Sequence, residues 1–457
     1  MSEELAIGFV DLDVGIVSVV GNRRKQLLRR LSGGFEFGTI SALMGSSGSG
    51  KTTLLKCLNG STRYTLGPKT QIYVNSCHKI RSCFIYQDQN ERLLKGLTVR
   101  QALTYACRLK NSDVKSGCPV SHRSRVRELM DELLIGDIGS TRVDECSGGE
   151  LKRLVIAMEL TSVLLPNVMF IDEPTTGLDS NAADVVISCL KTLSRKHNIA
   201  IITSIHQPNN EVFMHFDNVY VLARHGVNIY WGRPQHLSDH LRECGITCGT
   251  GPDNEIQFPI EVLLKYSSKP INDSHVKRLS DKSRELRDNL LNKCTGDDMH
   301  LTQGFQRNGS KRFNFKDFWY LLLRTSLYTF LCQWKGLFSQ ILFYILFLLC
   351  LTFAYNRNIG KIDGCFNAGS YMYMDYTCDE IVEEMGILEQ NLYHQYIASV
   401  SVYTIHTAIS TSNFLHEMKI FTTEHQNRWY GTGSYYWAKA IVEQILSVIY
   451  AYIYTII

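Results

Sequence analysis

The sequence lacks the features that mark several classes of protein. Its 14 cysteines include no CxxC pair, the spacing typical of structural zinc sites, and the chain contains no internal repeat. Neither sign of charge dominates, because 48 lysines and arginines stand against 44 aspartates and glutamates, for a formal net charge of +4. Nucleic-acid binding requires a basic stripe, so we expect no nucleic-acid partner.

The first residues also lack the basic segment and the long apolar run of a secretory signal. We therefore expect the N-terminal half of the chain in the cytosol, where its cysteines stay reduced. The 457 residues leave room for two or three domains.

The most informative feature that is present is an eight-residue stretch, 45–52, of the form G-x-x-x-x-G-K-[ST]. The apolar run 40–44 before it predicts a buried strand, and residues 53–58 after it predict a helix. Glycines let backbone N–H groups wrap a polyphosphate, and a helix N-terminus adds a positive dipole. By this pattern Lys51 reaches the β- and γ-phosphates and Thr52 holds Mg²⁺. A glycine-rich turn that fits by chance is the alternative. The predicted nucleotide-binding residues are Gly45, Ser46, Ser47, Gly48, Ser49, Gly50, Lys51, Thr52 and Thr53.

Two carboxylates, Asp172 and Glu173, end a second apolar run at 168–171. In P-loop NTPases such an aspartate holds Mg²⁺, and an adjacent glutamate can polarise the attacking water as a general base. A buried strand that merely ends at solvent is the alternative interpretation. That alternative leaves the sequence Pro-Thr-Thr-Gly-Leu-Asp-Ser at 174–180 unexplained.

A third motif, Ser147-Gly148-Gly149, precedes a long helical run. At a helix start it forms a second anion site, although Ser147 can equally be a simple N-cap. One phosphate-bearing ligand rarely needs two such sites in one subunit. We therefore predict two subunits facing head to tail, with each nucleotide held between one P-loop and the opposite Ser-Gly-Gly.

In this order the motifs resemble the nucleotide-binding domain of an ABC (ATP-binding cassette) transporter, with ATP and Mg²⁺ as ligands. The resemblance implies further roles by position: Gln87 as the Q-loop glutamine, Asp179 in the D-loop and His206 as the switch histidine. The implied catalytic residues are Glu173, His206 and Gln87; the implied Mg²⁺ ligands are Thr52, Gln87 and Asp172; the implied contacts to the opposite nucleotide are Ser147, Gly148, Gly149 and Glu150.

The sequence departs from the family pattern at three positions. Cys146 replaces the usual Leu or Val of the signature motif, and Leu151 stands where Arg is frequent. Neither position carries phosphate chemistry, so we expect small effects. The aromatic residue on which the family often stacks adenine corresponds to Val14, so stacking is predicted to be weak or supplied elsewhere.

The C-terminal part is apolar. Residues 336–355 carry no charge, and about 20 such residues cross a bilayer core. Residues 396–415 and 436–457 are weaker candidates, the former with a buried soluble helix as alternative and the latter incomplete. Before them, residues 313–335 predict an amphipathic connecting helix with one apolar face. The members of that face are Phe318, Leu322, Leu323, Leu327, Phe330 and Leu331.

The predicted fold class is an α/β P-loop NTPase, with an ABC nucleotide-binding domain and helical subdomain, followed by an α-helical transmembrane domain. The predicted domains are the ATP-binding domain 5–265, a polar linker 266–312, the connecting helix 313–335 and a partial transmembrane domain 336–457. Within the linker, residues 276–291 are compatible with an exposed amphipathic helix. An ATPase that precedes the membrane domain resembles subfamily G, the White-type half-transporters. Members of that subfamily have six spans, so we expect this chain to be a truncated isoform, an incomplete product or a fragment. We also expect Cys365 and Cys378, in an external or lumenal loop, to pair with each other or with a partner subunit.

The predicted function is that of an ATP-hydrolysing half-transporter in the plasma membrane or an organelle membrane. It works as a homo- or heterodimer with another half-transporter of this type and moves a lipid, sterol or other hydrophobic small molecule. The alternative is a non-transporting subunit that dimerises with complete half-transporters and regulates them. A soluble cassette ATPase is disfavoured by the uncharged run at 336–355.

Overall fold

The computed structural model describes residues 4–17, 24–60, 64–88, 92–113, 121–246, 258–270, 272–285, 291, 294, 299–302, 311–354 and 378–456. The chain divides into two compact units. The first consists of Met1–Leu93, Thr98–Lys311 and Thr423–Trp429, and the second of Leu94–Leu97, Arg312–Thr422 and Tyr430–Ile457.

The first unit is built from two sheets and a set of helices. Its strands are β1 (Leu5–Val17), β2 (Arg24–Glu36), β3 (Ile40–Gly45), β4 (Thr65–Leu66), β5 (Gln71–Asn75), β6 (Ser82–Ile85), β7 (Val168–Asp172), β8 (Ala200–Ser204), β9 (Asn218–Ala223), β10 (Val227–Gly232) and β11 (Met299–Thr302). Its helices are α1 (Lys51–Leu58), α2 (Val99–Lys110), α3 (His122–Glu132), α4 (Gly148–Leu160), α5 (Ser180–His197), α6 (Asn210–Met214), α7 (Leu237–Glu243), α8 (Pro259–Ser267) and α9 (Ser274–Glu285).

A six-stranded sheet with the order β10-β9-β3-β8-β7-β6 forms the centre of this unit, and all its strand pairs except β10–β9 are parallel. Every residue of β3, β7 and β8 is buried, as expected for parallel strands covered on both faces. The register pairs Asp172 with Ser204 and Leu43 with Ser204. The carboxyl ends of β3, β7 and β8 therefore meet at one edge, where ligands bind in open α/β sheets.

The second, antiparallel sheet has the order β11-β5-β1-β2, and β4 pairs with β1. It packs closely on the parallel sheet. A Cβ added at Gly33 of β2 would lie 2.6 Å from the ring of Tyr220 in β9 and 2.9 Å from the ring of Phe9. Only glycine fits this contact, and the rings of Phe9 and Tyr220 fill the shared core.

Helices α2, α3 and α4 form a helical subdomain, and the predicted fold class is confirmed. Thr98 and Gln101 make a capping box at the start of α2, and the Ser121 side chain caps α3. Helix α2 begins at Val99 and α3 at His122, each directly after its capping residue.

The structure differs from the predicted polar linker. Helix α9 buries Val276 and Leu279, and the Asn228 amide nitrogen of β10 donates a hydrogen bond of 2.8 Å to Ser283 Oγ. Strand β11 pairs with β5. Segments of 266–312 therefore belong to the ATPase unit. Their apolar residues are few and widely spaced, so the sequence pattern was too weak to reveal their packing.

The second unit is helical. It contains α10 (Phe315–Ser326), a π-helical turn (Leu327–Cys332), α11 (Trp334–Ala354), most of α12 (Cys378–Gln426) and α13 (Thr432–Ile456). Within it, α10 buries Asp317, Leu321 and Arg324, while Leu323 and Leu331 of the predicted apolar face stay exposed. Phe318, Leu322, Leu327 and Phe330 of the same face are half-buried, so this apolar face is covered only in part.

Among the residues described, two helices, α11 and α13, are long and apolar enough to cross a membrane. They include residues 336–354 of the predicted span 336–355 and residues 436–456 of the predicted span 436–457. The predicted span 396–415 lies inside the 49-residue α12, which does not meet that measure because its serines, threonines and His406 lower its hydropathy. Residues 378–394, predicted as part of a loop, are helical. Cys365 and the side chain of Cys378 lie outside the described part of the chain, and so does their predicted pairing.

Candidate nucleotide site

The P-loop connects β3 to α1 at the carboxyl edge of the parallel sheet. Gly48 and Gly50 have φ of 75° and 101°, a conformation that favours glycine, and a Cβ on Gly50 would lie 2.5 Å from Leu28 Cδ2. Lys51 Nζ donates to the carbonyl oxygen of Gly45 at 2.8 Å, so the ammonium group curls over the loop. Burial lowers the pKa of Lys51, against the opposing effect of the nearby carboxylates.

One side chain inside the loop is buried without a hydrogen bond. Ser49 is 1% exposed, and its Oγ has no hydrogen-bond partner among the described residues. A buried hydroxyl without a partner costs stability. Ser47 and Gly48 are exposed beside it, and Thr53 lies in the first turn of α1.

Three oxygen-bearing side chains lie together beside the loop. Thr52 Oγ1 donates to Asp172 Oδ1 at 3.0 Å, and Ser204 Oγ donates to the same oxygen at 2.7 Å. Burial raises the pKa of Asp172, while the two hydroxyl hydrogen bonds act in the opposite direction. Hard oxygen donors suit Mg²⁺, so the residues present fit the implied metal. Sequence reasoning missed Ser204, whose only sequence signal is its place at the end of an apolar strand.

The predicted base, Glu173, follows β7 directly with a positive φ of 49°. Its Oε2 accepts hydrogen bonds from Gln87 Nε2 and Thr176 Oγ1, both at 2.8 Å, and its backbone nitrogen donates to Ser204 Oγ at 2.9 Å. A left-handed backbone at a non-glycine residue is strained, and such strain concentrates at functional sites. Gln87, predicted as a Mg²⁺ ligand, is hydrogen bonded to Glu173 rather than to Thr52 or Asp172.

Lys152 ties the signature helix to these two residues. This α4 side chain is buried, and its Nζ donates to the carbonyl oxygens of Gln87 and Glu173, both at 3.4 Å. Burial lowers the pKa of Lys152, and Glu173 is the largest opposing influence. Sequence reasoning missed Lys152, which stands two residues after the signature Glu150.

His206 lies just after β8 and is exposed. It lines a cleft of 540 Å³ together with Gly45, Ser46 and Ser47 of the P-loop. The same cleft is bounded by α8, which holds the loop through two hydrogen bonds. Ser46 N donates to Ser267 Oγ at 3.1 Å, and Ser46 Oγ donates to the Ser267 carbonyl at 3.2 Å. Ser267 fell in the predicted linker and was also missed.

The signature motif forms a capping box at the start of α4. Ser147 N donates to Glu150 Oε2 at 2.8 Å, and Glu150 N donates to Ser147 Oγ at 3.4 Å. Ser147 and Gly148 are exposed, whereas Gly149 is buried. Asp179 is also exposed, and its Oδ2 accepts a hydrogen bond from Ala182 N at the start of α5. Ser147 and Asp179 are therefore both helix caps and exposed polar groups.

The predicted adenine position is closed. Val14 is fully buried in β1, where it pairs with Leu28 and Leu66, so its side chain offers no surface to a base. Two residues further along the same strand, Ile16 is 41% exposed.

One segment of the first unit, Thr423–Trp429, comes from far along the chain. Asn427 bonds both backbone groups of Phe84 at 3.0 Å, and its Nδ2 also donates to Glu159 Oε1 at 2.8 Å. Trp429 Nε1 donates to the same oxygen at 3.2 Å, and Lys110 Nζ lies 2.5 Å from Glu159 Oε2. The segment 423–429 thus contacts β6, which leads to Gln87, and α4, which begins at the signature.

Residues 28–176 match the family described as ABC transporter. Over 233 residues, 49% of the chain, the sequence is 36% identical to ATP-binding cassette sub-family G member 5 of Mus musculus, and the match covers 35% of that protein. Over 453 residues, 95% of the chain, it is 26% identical to Protein white of Ceratitis capitata, covering 62% of it. A match to ABC transporter G family member 11 of Arabidopsis thaliana has 33% identity over 249 residues, 52% of the chain and 34% of the relative.

The chain therefore spans about a third of the length of the mouse relative, as the 35% coverage states. The P-loop, the two carboxylates after β7 and the Ser-Gly-Gly motif at α4 lie on the carboxyl side of the parallel sheet or on the helical subdomain. Residues 28–176 therefore carry an ABC transporter ATP-binding domain, and the chain is similar to members of subfamily G.

Proposed function

We propose that this chain is an ATP-hydrolysing half-transporter that couples closure of a dimer to movement of a hydrophobic small molecule across a membrane. The observation that carries the proposal is the network of Thr52, Asp172, Ser204 and Glu173 beside a P-loop with a buried, unpartnered serine hydroxyl. It joins a metal-binding oxygen set to a positioned carboxylate, which is what phosphoryl transfer to water requires.

Each side chain has a role that its contacts support. The P-loop amides and Lys51 bind the phosphates, and Thr52 and Asp172 would hold Mg²⁺. When bound, the metal ion supplies charge neutralisation on the phosphate oxygens. Glu173 accepts a proton from the attacking water, and Gln87 and Thr176 hold its Oε2 in position. His206 lines the cleft together with P-loop residues, which supports a contact to the γ-phosphate.

The exposure of the signature motif supports the proposed dimer. Ser147 and Gly148 reach solvent at the start of α4, where a helix N-terminus favours an anion. In the proposed dimer they bind the nucleotide held by the P-loop of the opposite subunit. The proposal covers both a second copy of this chain and another half-transporter of this type as the opposite subunit.

The membrane part of the proposal is supported by α11 and α13, which carry long apolar surfaces within the described chain. The exposed apolar face of α10, with Leu323 40% and Trp319 49% exposed, fits a helix lying at the membrane surface. The relatives' names as ABC transporters support transport as the purpose of hydrolysis. As cargo we propose a lipid, a sterol or another hydrophobic small molecule.

The test is replacement of Glu173 by Gln. We expect ATP turnover to fall about a hundredfold or more, since a general base contributes that much, while ATP binding persists and traps a nucleotide-bound dimer. Turnover and dimer content are measured on purified protein in detergent. The matched control is Glu243→Gln, an exposed glutamate of α7, which should behave as wild type. Undiminished turnover in the Glu173 variant would defeat the proposed mechanism.

A further inference from the structure

The helical subdomain contains a cleft that the ATPase chemistry does not use. It lies between α2 and α3 and has a volume of 310 Å³. On α2 its walls are Arg100 and Arg108, two helical turns apart on one face. On α3 they are His122, Arg123 and Arg127. No residue of the P-loop lines it, so the cleft is a separate feature of the unit.

Positive charge dominates this cleft, which we call the α2–α3 cleft. Asp131 is the one carboxylate lining it, against four arginines. Within the part of the chain that the structure describes, Arg100, Arg123 and Arg127 have no ion-pair partner, whereas Arg125, on the other side of α3, pairs with Glu128 at 3.2 Å. Among the described residues, Arg100, Arg123 and Arg127 therefore keep their positive charge without a paired carboxylate, while Arg125 is neutralised.

The start of α3 strengthens the positive potential. Its first turn contains Arg123, which lines the cleft, and no acidic residue, although a helix N-terminus favours acids. This arrangement is unfavourable for the helix by itself. Burial and the charge of Arg108 lower the pKa of His122, so the imidazole is held neutral and remains a hydrogen-bonding group in the cleft.

The floor of the cleft is apolar. Val126 and Met130 lie between the two basic walls, and each is 3% exposed. Charges gathered around a concave, partly apolar surface focus their field and attract counter-ions more strongly than charges spread over an open surface. Arginine also presents a planar pair of donors that matches phosphate oxygens.

We propose that the α2–α3 cleft binds a small polyanion that carries two or more phosphate groups, at a site distinct from the P-loop. The volume of 310 Å³ is at the lower end of the range for ligand sites, which restricts the ligand to a compact one. Free polyphosphates and the headgroups of phosphoinositides share this chemistry. The site does not depend on the proposed transport function.

The experiment is calorimetric titration of the full chain in detergent with inorganic pyrophosphate and, separately, with inositol 1,4,5-trisphosphate. Both titrations are repeated in a Lys51→Ala background, which removes phosphate binding at the P-loop. We expect one site to persist in that background. Arg123→Gln/Arg127→Gln should weaken it at least about tenfold, because each charge-assisted hydrogen bond is among the strong ones.

The matched control is Arg29→Gln/Arg30→Gln, two exposed arginines of β2 with the same change in net charge, which should bind as the parent does. Arg123→Lys/Arg127→Lys should bind with intermediate affinity, since charge is kept and the paired donors are lost. Trisphosphate binding more than tenfold tighter than pyrophosphate indicates a lipid headgroup; similar affinities indicate a free polyphosphate. No binding in the Lys51→Ala background, or equal loss in the control, overturns the proposal.

Discussion

At the scale of single residues, the central group of the site is a buried aspartate whose ionised form is destabilised by burial. Asp172 is 5% exposed, and burial raises its pKa despite the hydrogen bonds from Ser204 and Thr52. A carboxyl whose pKa is raised on folding favours the folded state below its unfolded pKa and loses that advantage as pH rises through the folded pKa. Near neutral pH the ionised Asp172 therefore costs stability, and a bound cation would offset this cost.

This leads to a prediction for Asp172→Asn. Without nucleotide, the free energy of unfolding should rise, by about 1 kcal/mol as for a typical single substitution, because a buried charge is removed and both hydroxyl donors keep an acceptor. Affinity for Mg²⁺-dependent ATP binding should fall about 10- to 100-fold. Thermal unfolding and nucleotide titration measure the two effects.

The matched control for that substitution is Asp179→Asn. Asp179 is exposed and caps α5, and asparagine caps helices about as well as aspartate, so stability should change by less than about 0.5 kcal/mol. If Asp172→Asn instead destabilised the nucleotide-free protein, the carboxylate would be serving the fold rather than a ligand.

At the scale of elements, two parts of the chain far apart in sequence contact the same machinery. The segment 423–429 bonds β6 through Phe84, three residues before Gln87, and bonds α4 through Glu159. The other end of α4 carries the signature motif. Movement of this segment is thus connected through rigid elements to both the Q-loop and the signature, a physical route for coupling.

We predict that Asn427→Ala weakens this coupling. It removes the three hydrogen bonds that the Asn427 side chain makes to Phe84 and Glu159 and takes this partner from both backbone groups of Phe84, while Trp429 and Lys110 still contact Glu159. ATP turnover should fall by a factor corresponding to about 0.5–2 kcal/mol, while the Kd for ATP stays within about twofold. The comparison of turnover with Kd separates coupling from binding. The exposed Asn272→Ala serves as the control; an equal loss of ATP affinity in the Asn427 variant would point to a general structural effect.

Helices with local start signals were predicted well, and elements without them were not. Thr98 with Gln101, and Ser147 with Glu150, are capping boxes written in four consecutive residues, so α2 and α4 can be located from sequence. In contrast, α9 and β11 lie in a polar stretch. The pattern at 276–291 allowed an exposed helix, but the packing of α9 depends on long-range contacts such as Asn228 to Ser283. No local pattern encodes those contacts, which is why the stretch was interpreted as a linker.

At the scale of the whole molecule, the proposed dimer makes each nucleotide site composite. Lys51 binds phosphates within one chain, and Ser147 is proposed to contact the nucleotide of the other. In a head-to-tail arrangement, two substitutions therefore have different consequences when they lie on one chain and when they are divided between two.

We predict this difference for Lys51→Ala and Ser147→Arg in differently tagged, co-purified dimers. With one substitution on each chain, one site retains both an intact P-loop and an intact signature, and about half of wild-type turnover should remain. With both substitutions on one chain beside a wild-type partner, both sites are damaged and turnover should be lost. Equal activities in the two arrangements would contradict the composite site.

The sequence alone determined the parts of this protein that are local in the chain. The P-loop at 45–52, the carboxylates after β7 and the motif at the start of α4 each depend on a few consecutive residues, whose backbone geometry follows from their identity. These motifs, in order, are enough to predict the ATPase fold and the family.

Only the tertiary structure decided how those motifs are supported. Ser204 reaches Asp172 because β8 lies beside β7, Lys152 reaches two carbonyl oxygens because α4 packs over the sheet edge, and Ser267 holds the P-loop from α8. The α2–α3 cleft likewise exists only because two helices align their basic faces. Such contacts depend on strand order and helix packing, which arise from the summed burial of the whole core and are not encoded in any single segment.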